Sequence, residues 1–278
     1  MGSLREQMTQ DLQLKGATAK TQHIYLREVT KLAKHYSKSP DELGENEIKE
    51  YLLHLKESGL ADGTFRFYAA GIKFLYSATL QQRWVDDIKF GRRPLKLPVV
   101  LDLSEVEALF SVTDNIKHKA VLMIMYSSGL RISELMNLKI TDIDSKRMMV
   151  YIRQGKGGKD RYSILSQRAL QCLRQYWREY HPKEWLFEGN KGSHLCMTSI
   201  RNIFVDAKKR AGIKKPASPH TLRHSFATHL IESGVSLHHV QLLLGHRSPN
   251  TTTVYLHVSK INLAQVVSPL DKASKQTA

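Results

Sequence analysis

Residues 220–255 read H-T-L-R-H at 220–224, L-G-H at 244–246 and T-T-T-V-Y at 251–255. His220, Arg223, His246 and Tyr255 suit one task, gripping a phosphate and attacking it with a phenol. A phosphodiester is anionic and repels nucleophiles, so fixed cations must neutralise it and the charge that grows in the transition state. Arginine does this best, because its planar fork donates two hydrogen bonds and keeps its charge. The nucleophile also needs an activating base, and the leaving alkoxide needs a proton donor. Taken singly, such an arginine is usually a solvated charge and such a histidine a packed one. His224 and His229 suggest zinc, yet no H-E-x-x-H motif and no cysteine or carboxylate at ligand spacing accompanies them, so no metal is expected.

Further candidates lie upstream. S-G-L-R-I-S-E-L at 128–135 sets Arg131 and Glu134 three apart, and G-K-G-G-K-D-R at 155–161 puts Lys156 in a glycine-rich turn.

The elements that must position these residues follow from hydrophobic period and capping signals. Residues 1–90 read as helices only, over 4–14, 18–37, 47–58 and 62–80, with Asp62 expected as an N-cap. Residues 90–98 (F-G-R-R-P-L-K-L-P) break the pattern as an extended linker. Ser104 and Glu107 read as a capping box opening the second part. Residues 117–128 form a strongly apolar helix closed by Gly129, and 131–138 add a further turn or two. Residues 148–153 and 161–165 then read as strands around the turn at 154–160, with a shorter strand at 142–144. Helices are expected again over 169–180, 197–211 and 218–233, the last capped by Ser218-Pro219. In that helix His220 and Arg223 share a face beside an apolar stripe of Leu222, Phe226 and Leu230, and His224 reads as structural. A helix capped by Ser236 ends near Leu244, before the segment that carries Tyr255.

Charge narrows the partner. The 278 residues carry a formal net charge of +16. Residues 1–90 hold 13 Lys+Arg against 12 Asp+Glu, and the rest of the chain holds 29 against 14. Such a field attracts a polyanion, most simply nucleic acid. Cys172 and Cys196 have neither disulfide-framework nor metal-ligand spacing, which fits a reducing cytoplasm. The longest apolar run, 120–126, is too short for a bilayer, and no signal-peptide core opens the chain. No Walker A loop is present, and no carboxylate cluster suits two-metal chemistry.

In this order and spacing the motifs resemble the tyrosine recombinase (phage integrase, Xer-like) family over essentially the whole chain. The resemblance implies a mainly α fold with a small antiparallel β-sheet. It implies a helical SAM-like core-binding domain over 1–90, a linker over 91–99 and a mixed α+β catalytic domain over 100–278, together forming a C-shaped DNA clamp. It implies Tyr255 as the nucleophile forming a 3′-phosphotyrosyl link, His220 assisting as base, Arg131 and Arg223 on the non-bridging oxygens, and His246 on the phosphate. Lys156 would protonate the leaving 5′-oxygen, and Glu134 would orient Arg131 or His220. Neither metal nor ATP nor another cofactor is then expected. The expected partner is double-stranded DNA with paired core sites, bound by a homotetramer or mixed tetramer whose C-terminal helix, 261–270, docks on a neighbouring subunit. A Xer-like or mobile-element role fits best. The alternatives are a type IB topoisomerase and a non-catalytic DNA-binding regulator.

Overall fold

The computed structural model describes residues 2–91, 97–153, 160–246, 248–256 and 258–259. Lys156, the middle of the expected linker and the tail at 261–270 lie outside the described residues. The chain divides into two compact units, Met1–Leu95 and Lys96–Ala278.

The first unit is helical: α1 (Gly2–Leu14), α2 (Ala19–Tyr36), α3 (Glu45–Glu57) and α4 (Asp62–Phe74). Their apolar stripes meet in one core that includes Met8, Leu12, Leu32, Ile48, Leu52, Phe65 and Ile72. Thr18 caps α2 through Thr21 N. Ala61, not Asp62, occupies the N-cap of α4. Asp62 lies one position inside, where its carboxylate favours the helix N-terminus and accepts from Arg66 Nε at 2.9 Å. A π-helical turn, Leu75–Thr79, carries the chain on to Leu80.

The second unit begins with α5 (Leu103–Ser111), α6 (Ile116–Ser127) and α7 (Ile132–Met136). The capping box of α5 is Asp102 with Glu105: Asp102 Oδ1 accepts from Glu105 N, and Glu105 Oε2 accepts from Asp102 N. It was expected two residues later, at Ser104 and Glu107. Asp102 wins because Leu103 then starts the helix, and Glu107 instead receives both guanidinium nitrogens of Arg168. Helix α6 is buried from Ala120 through Met125 and lies against α8 (Gln167–Tyr180) and α10 (Pro219–Glu232). A three-stranded antiparallel sheet is ordered β1 (Ile143–Asp144), β2 (Met149–Ile152), β3 (Arg161–Ile164), with Val150 opposite Ser163 and Ile152 opposite Arg161. Helix α9 (Met197–Arg210) precedes α10, and α11 (Leu237–Leu244) and α12 (Asn250–Thr253) follow it. Among the described residues no helix is long and apolar enough to cross a membrane.

Candidate active site

Helix α6 ends at Gly129, whose φ of +59° is left-handed and whose added Cβ would sit 2.5 Å from the Phe226 ring. Only glycine makes this turn without strain. The turn delivers Arg131 to the N-cap of α7 while Leu130, Ile132 and Leu135 enter the core. Glu134, at the third helical position, reaches back. Its Oε2 accepts from Arg131 N at 2.8 Å and its Oε1 from Arg131 Nη1 at 2.6 Å. The same carboxylate accepts both terminal nitrogens of Arg161, each at 2.8 Å, and Arg223 Nη1 stands 3.6 Å away. Burial opposes ionisation of Glu134, but the Arg161 hydrogen bonds and the surrounding guanidinium charges outweigh it and hold the group at about 2.

Helix α10 brings the next residues. Leu222, Phe226 and Ile231 are buried, and each such side chain contributes about 1.5–3 kcal/mol to docking the helix. The docking sinks Arg223 to 3% exposure. Arg223 Nη1 donates to Gly129 O and Nη2 to Leu244 O, both at 2.6 Å, and Nη2 lies 3.1 Å from His246 Nε2. Burial and the nearby Arg131 lower its pKa, yet a guanidinium stays cationic at neutral pH. Because arginine can only donate, His246 Nε2 is the acceptor. Its Nδ1 then donates to Thr252 Oγ1 at 2.9 Å. Burial, then the charges of Arg223, Arg131 and Arg161, push His246 down to about 3, so the ring is neutral. His220 stands exposed on the first turn of α10, and partial desolvation with Arg223, Arg131 and Arg201 lowers its pKa.

Tyr255 is 3% exposed and packs with Phe226, Ala227, Ile231, Val240 and Leu244. Its ring stacks on His246 with centroids 6.3 Å apart. Its hydroxyl lies 3.1 Å from His224 Nδ1. Burial raises the phenol's pKa, partly offset by Arg223 and Arg131. Burial, His220 and Arg223 push His224 down to about 4, which leaves the ring neutral.

The structure therefore gathers Arg131, Glu134, Arg223 and His246 into one charged network, two hydrogen-bonded pairs joined by the 3.6 Å ion pair of Arg223 with Glu134, with Tyr255 stacked on its edge. Glu134 holds Arg131. The histidine bonded to Tyr255 is His224, and among the described residues no hydrogen bond joins Tyr255 to His220. His229 bonds the Tyr126 hydroxyl at 2.8 Å. Arg161 and Thr252 had been passed over. Arg161 did carry a signal, since it shares a strand face with the buried Ser163 opposite buried Val150 and Ile152, and a charge on an inward face needs a partner.

Two family profiles match the chain: "Phage integrase family" over residues 99–261 and "Phage integrase, N-terminal SAM-like domain" over residues 4–86. A "Putative integrase/recombinase y4qK" of Sinorhizobium fredii (strain NBRC 101917 / NGR234) is 41% identical, covering 98% of this chain and 89% of its own. A "Tyrosine recombinase XerD" of Listeria innocua serovar 6a is 33% identical over 91% of this chain and 92% of its own. Among solved structures, XerH site-specific recombinase bound to palindromic difH substrate, a post-cleavage complex, superposes with a TM-score of 0.72 at 25% identity, covering 88% of this chain and 78% of that one. These similarities favour strand exchange over topoisomerase or regulator.

Proposed function

This chain belongs to the phage integrase family and is a site-specific tyrosine recombinase, and we propose from that premise that Tyr255 is its nucleophile on double-stranded DNA. The observation that carries the reading is the Arg131–Glu134–Arg223–His246 network with the Tyr255 ring against it. Arg131 and Arg223 neutralise the phosphate. Tyr255 Oη forms a bond to phosphorus as the bond to the 5′-oxygen breaks. At rest the phenol keeps its proton and is hydrogen-bonded to neutral His224; His220 takes the proton when Tyr255 turns to the phosphate. Lys156 gives a proton to the leaving 5′-oxygen. His246 donates to the phosphate once the anion has displaced one of its present partners. The phosphotyrosyl link keeps the energy of the broken bond, so attack by another 5′-hydroxyl rejoins the strand without ATP or metal.

We place DNA recognition in two domains, 1–90 and 100–278, joined at 91–99. Paired core sites are held by a tetramer. The protein acts in the cytoplasm, in a Xer-like or mobile-element role.

The test is to incubate the protein with fragmented genomic DNA, denature, recover protein-linked DNA and sequence it. The wild type yields a covalent adduct at one class of sequence. Tyr255→Phe yields none while still shifting the recovered duplex in a gel. An adduct with the Phe variant overturns the assignment.

A further inference from the structure

We propose that Arg161 is a positioning residue that neutralises Glu134 and so leaves the charges of Arg131 and Arg223 for the phosphate. The inference deepens the function just proposed and rests on it.

Three of the five N–H donors of Arg161 are engaged. Its terminal nitrogens form a closed two-bond pair with the Glu134 carboxylate, each bond 2.8 Å, and its Nε donates to Leu243 O at 2.9 Å. Its side chain is only 9% exposed. Its fork is closed on Glu134 and nearly buried, so its effect on the chemistry passes through Glu134.

That effect follows from counting charge. Glu134 is needed, because it fixes both the backbone and the guanidinium of Arg131. It is also a liability, because an uncancelled carboxylate beside Arg131 and Arg223 offsets one of them. A phosphodiester carries one negative charge and gains another as a phenolate attacks, so the site must supply more positive charge in the transition state than in the ground state. With Arg161 closed on Glu134, both remaining arginines act at full charge. Without it, only one net charge remains, in a place where water screens little.

The chain makes room for this arm. Arg161 opens β3 on the inward face. Gly245 passes so close that an added Cβ would lie 2.8 Å from Arg161 Cδ. Arg161 also anchors α11 through Leu243 O, one residue before the Leu244 carbonyl that Arg223 holds.

A mere strut and a charge-canceller respond differently to removing the carboxylate. The experiment is single-turnover cleavage at saturating DNA, on a nicked duplex of the sequence trapped by the wild type. Arg161→Gln lowers the rate by about a hundredfold, on the scale of losing a charge-stabilising donor. Adding Glu134→Gln to Arg161→Gln then raises the rate at least about tenfold above Arg161→Gln alone, because the opposing charge is gone. A double variant as slow as the slower single variant overturns the proposal. A second readout needs neither DNA nor cleavage: the rise in melting temperature caused by inorganic phosphate. Arg161→Lys, which keeps the charge without the fork, retains this rise and Arg161→Gln loses it; an equal rise in both overturns the proposal. If Arg161→Gln does not fold, phosphate stabilisation of Arg161→Lys equal to wild type supports the inference and its loss overturns it. If wild-type protein forms no Tyr255 adduct, the functional reading fails instead, and the phosphate measurement still decides this one.

Discussion

His246 has both ring nitrogens committed, Nε2 accepting from Arg223 and Nδ1 donating to Thr252, so Nε2 donates to a phosphate only after Arg223 has turned to the anion and the ring proton has moved from Nδ1 to Nε2, with the Thr252 hydroxyl then donating to Nδ1. Thr252→Val removes the hydroxyl that serves Nδ1 in either tautomer. It should lower the cleavage rate more than the affinity for DNA, as single-turnover rates and gel shifts measured on one duplex would show. His220 and His224 separate in the same assay. His220→Ala should slow cleavage by about a hundredfold, the usual scale for a lost general base. His224→Ala should slow it by tenfold at most and destabilise the protein by about 1 kcal/mol, the usual net worth of a hydrogen bond; the reverse ranking moves the base to His224. The sequence marked Arg131, Glu134, Arg223, His246 and Tyr255 as a set because their chemistry is local in type. It took His220 as the base and His224, one helical turn away on α10, as structural; the hydrogen bond of Tyr255 to His224 was not legible, because it depends on where α12 returns Tyr255. It passed over Arg161 because the partner, Glu134, stands 27 residues away on another element, α7, and meets β3 only in the folded chain.

At the scale of elements, two glycines bring the network together. Gly129 and Gly245 are left-handed, at φ +59° and +64°, and close α6 and α11; Arg223 binds the carbonyl of Gly129 itself and that of Leu244, the last residue of α11. Gly129→Ala adds a Cβ into the Phe226 ring and should cost at least about 2 kcal/mol from backbone and overpacking together, read as a lower denaturant midpoint. Gly245→Ala should cost a similar amount and also push Arg161 off Glu134, so its cleavage rate should fall further than its stability. Asp102→Ala, at the cap of α5, should cost about 1 kcal/mol and leave cleavage unchanged. Helix positions were legible because apolar period and glycine stops agree over α6, α10 and α11. Cap identities were less so. At Asp102 and Ser104 two acceptable caps lie two residues apart, and at Ala61 the backbone alone caps while Asp62 serves Arg66 from inside the helix.

For the whole molecule, charge and acid response are the readable quantities. With 29 Lys+Arg against 14 Asp+Glu beyond residue 90, DNA affinity should fall about a hundredfold or more between roughly 50 and 200 mM salt, through release of condensed counterions; fluorescence anisotropy would show it, and a flat response would contradict a phosphate-led interface. Stability should fall with acid. His224 and His246 are held at about 4 and about 3 against an ordinary 6.5. Between those values the unfolded chain binds protons that the native one refuses, so stability is complete above about 6.5 and is lost progressively as pH drops toward 3–4. Glu134, held at about 2, adds its own loss below its ordinary 4.5. Melting temperatures measured from pH 7 to pH 4 should decline, less steeply in His246→Asn. The Arg223 side chain, bound to the Gly129 and Leu244 carbonyls, has one last consequence. The grip is assembled from the closing residues of two helices and cannot loosen while both remain folded. Heating should therefore extinguish activity and tertiary structure at one midpoint, with no cooler interval in which an intact protein has gone silent.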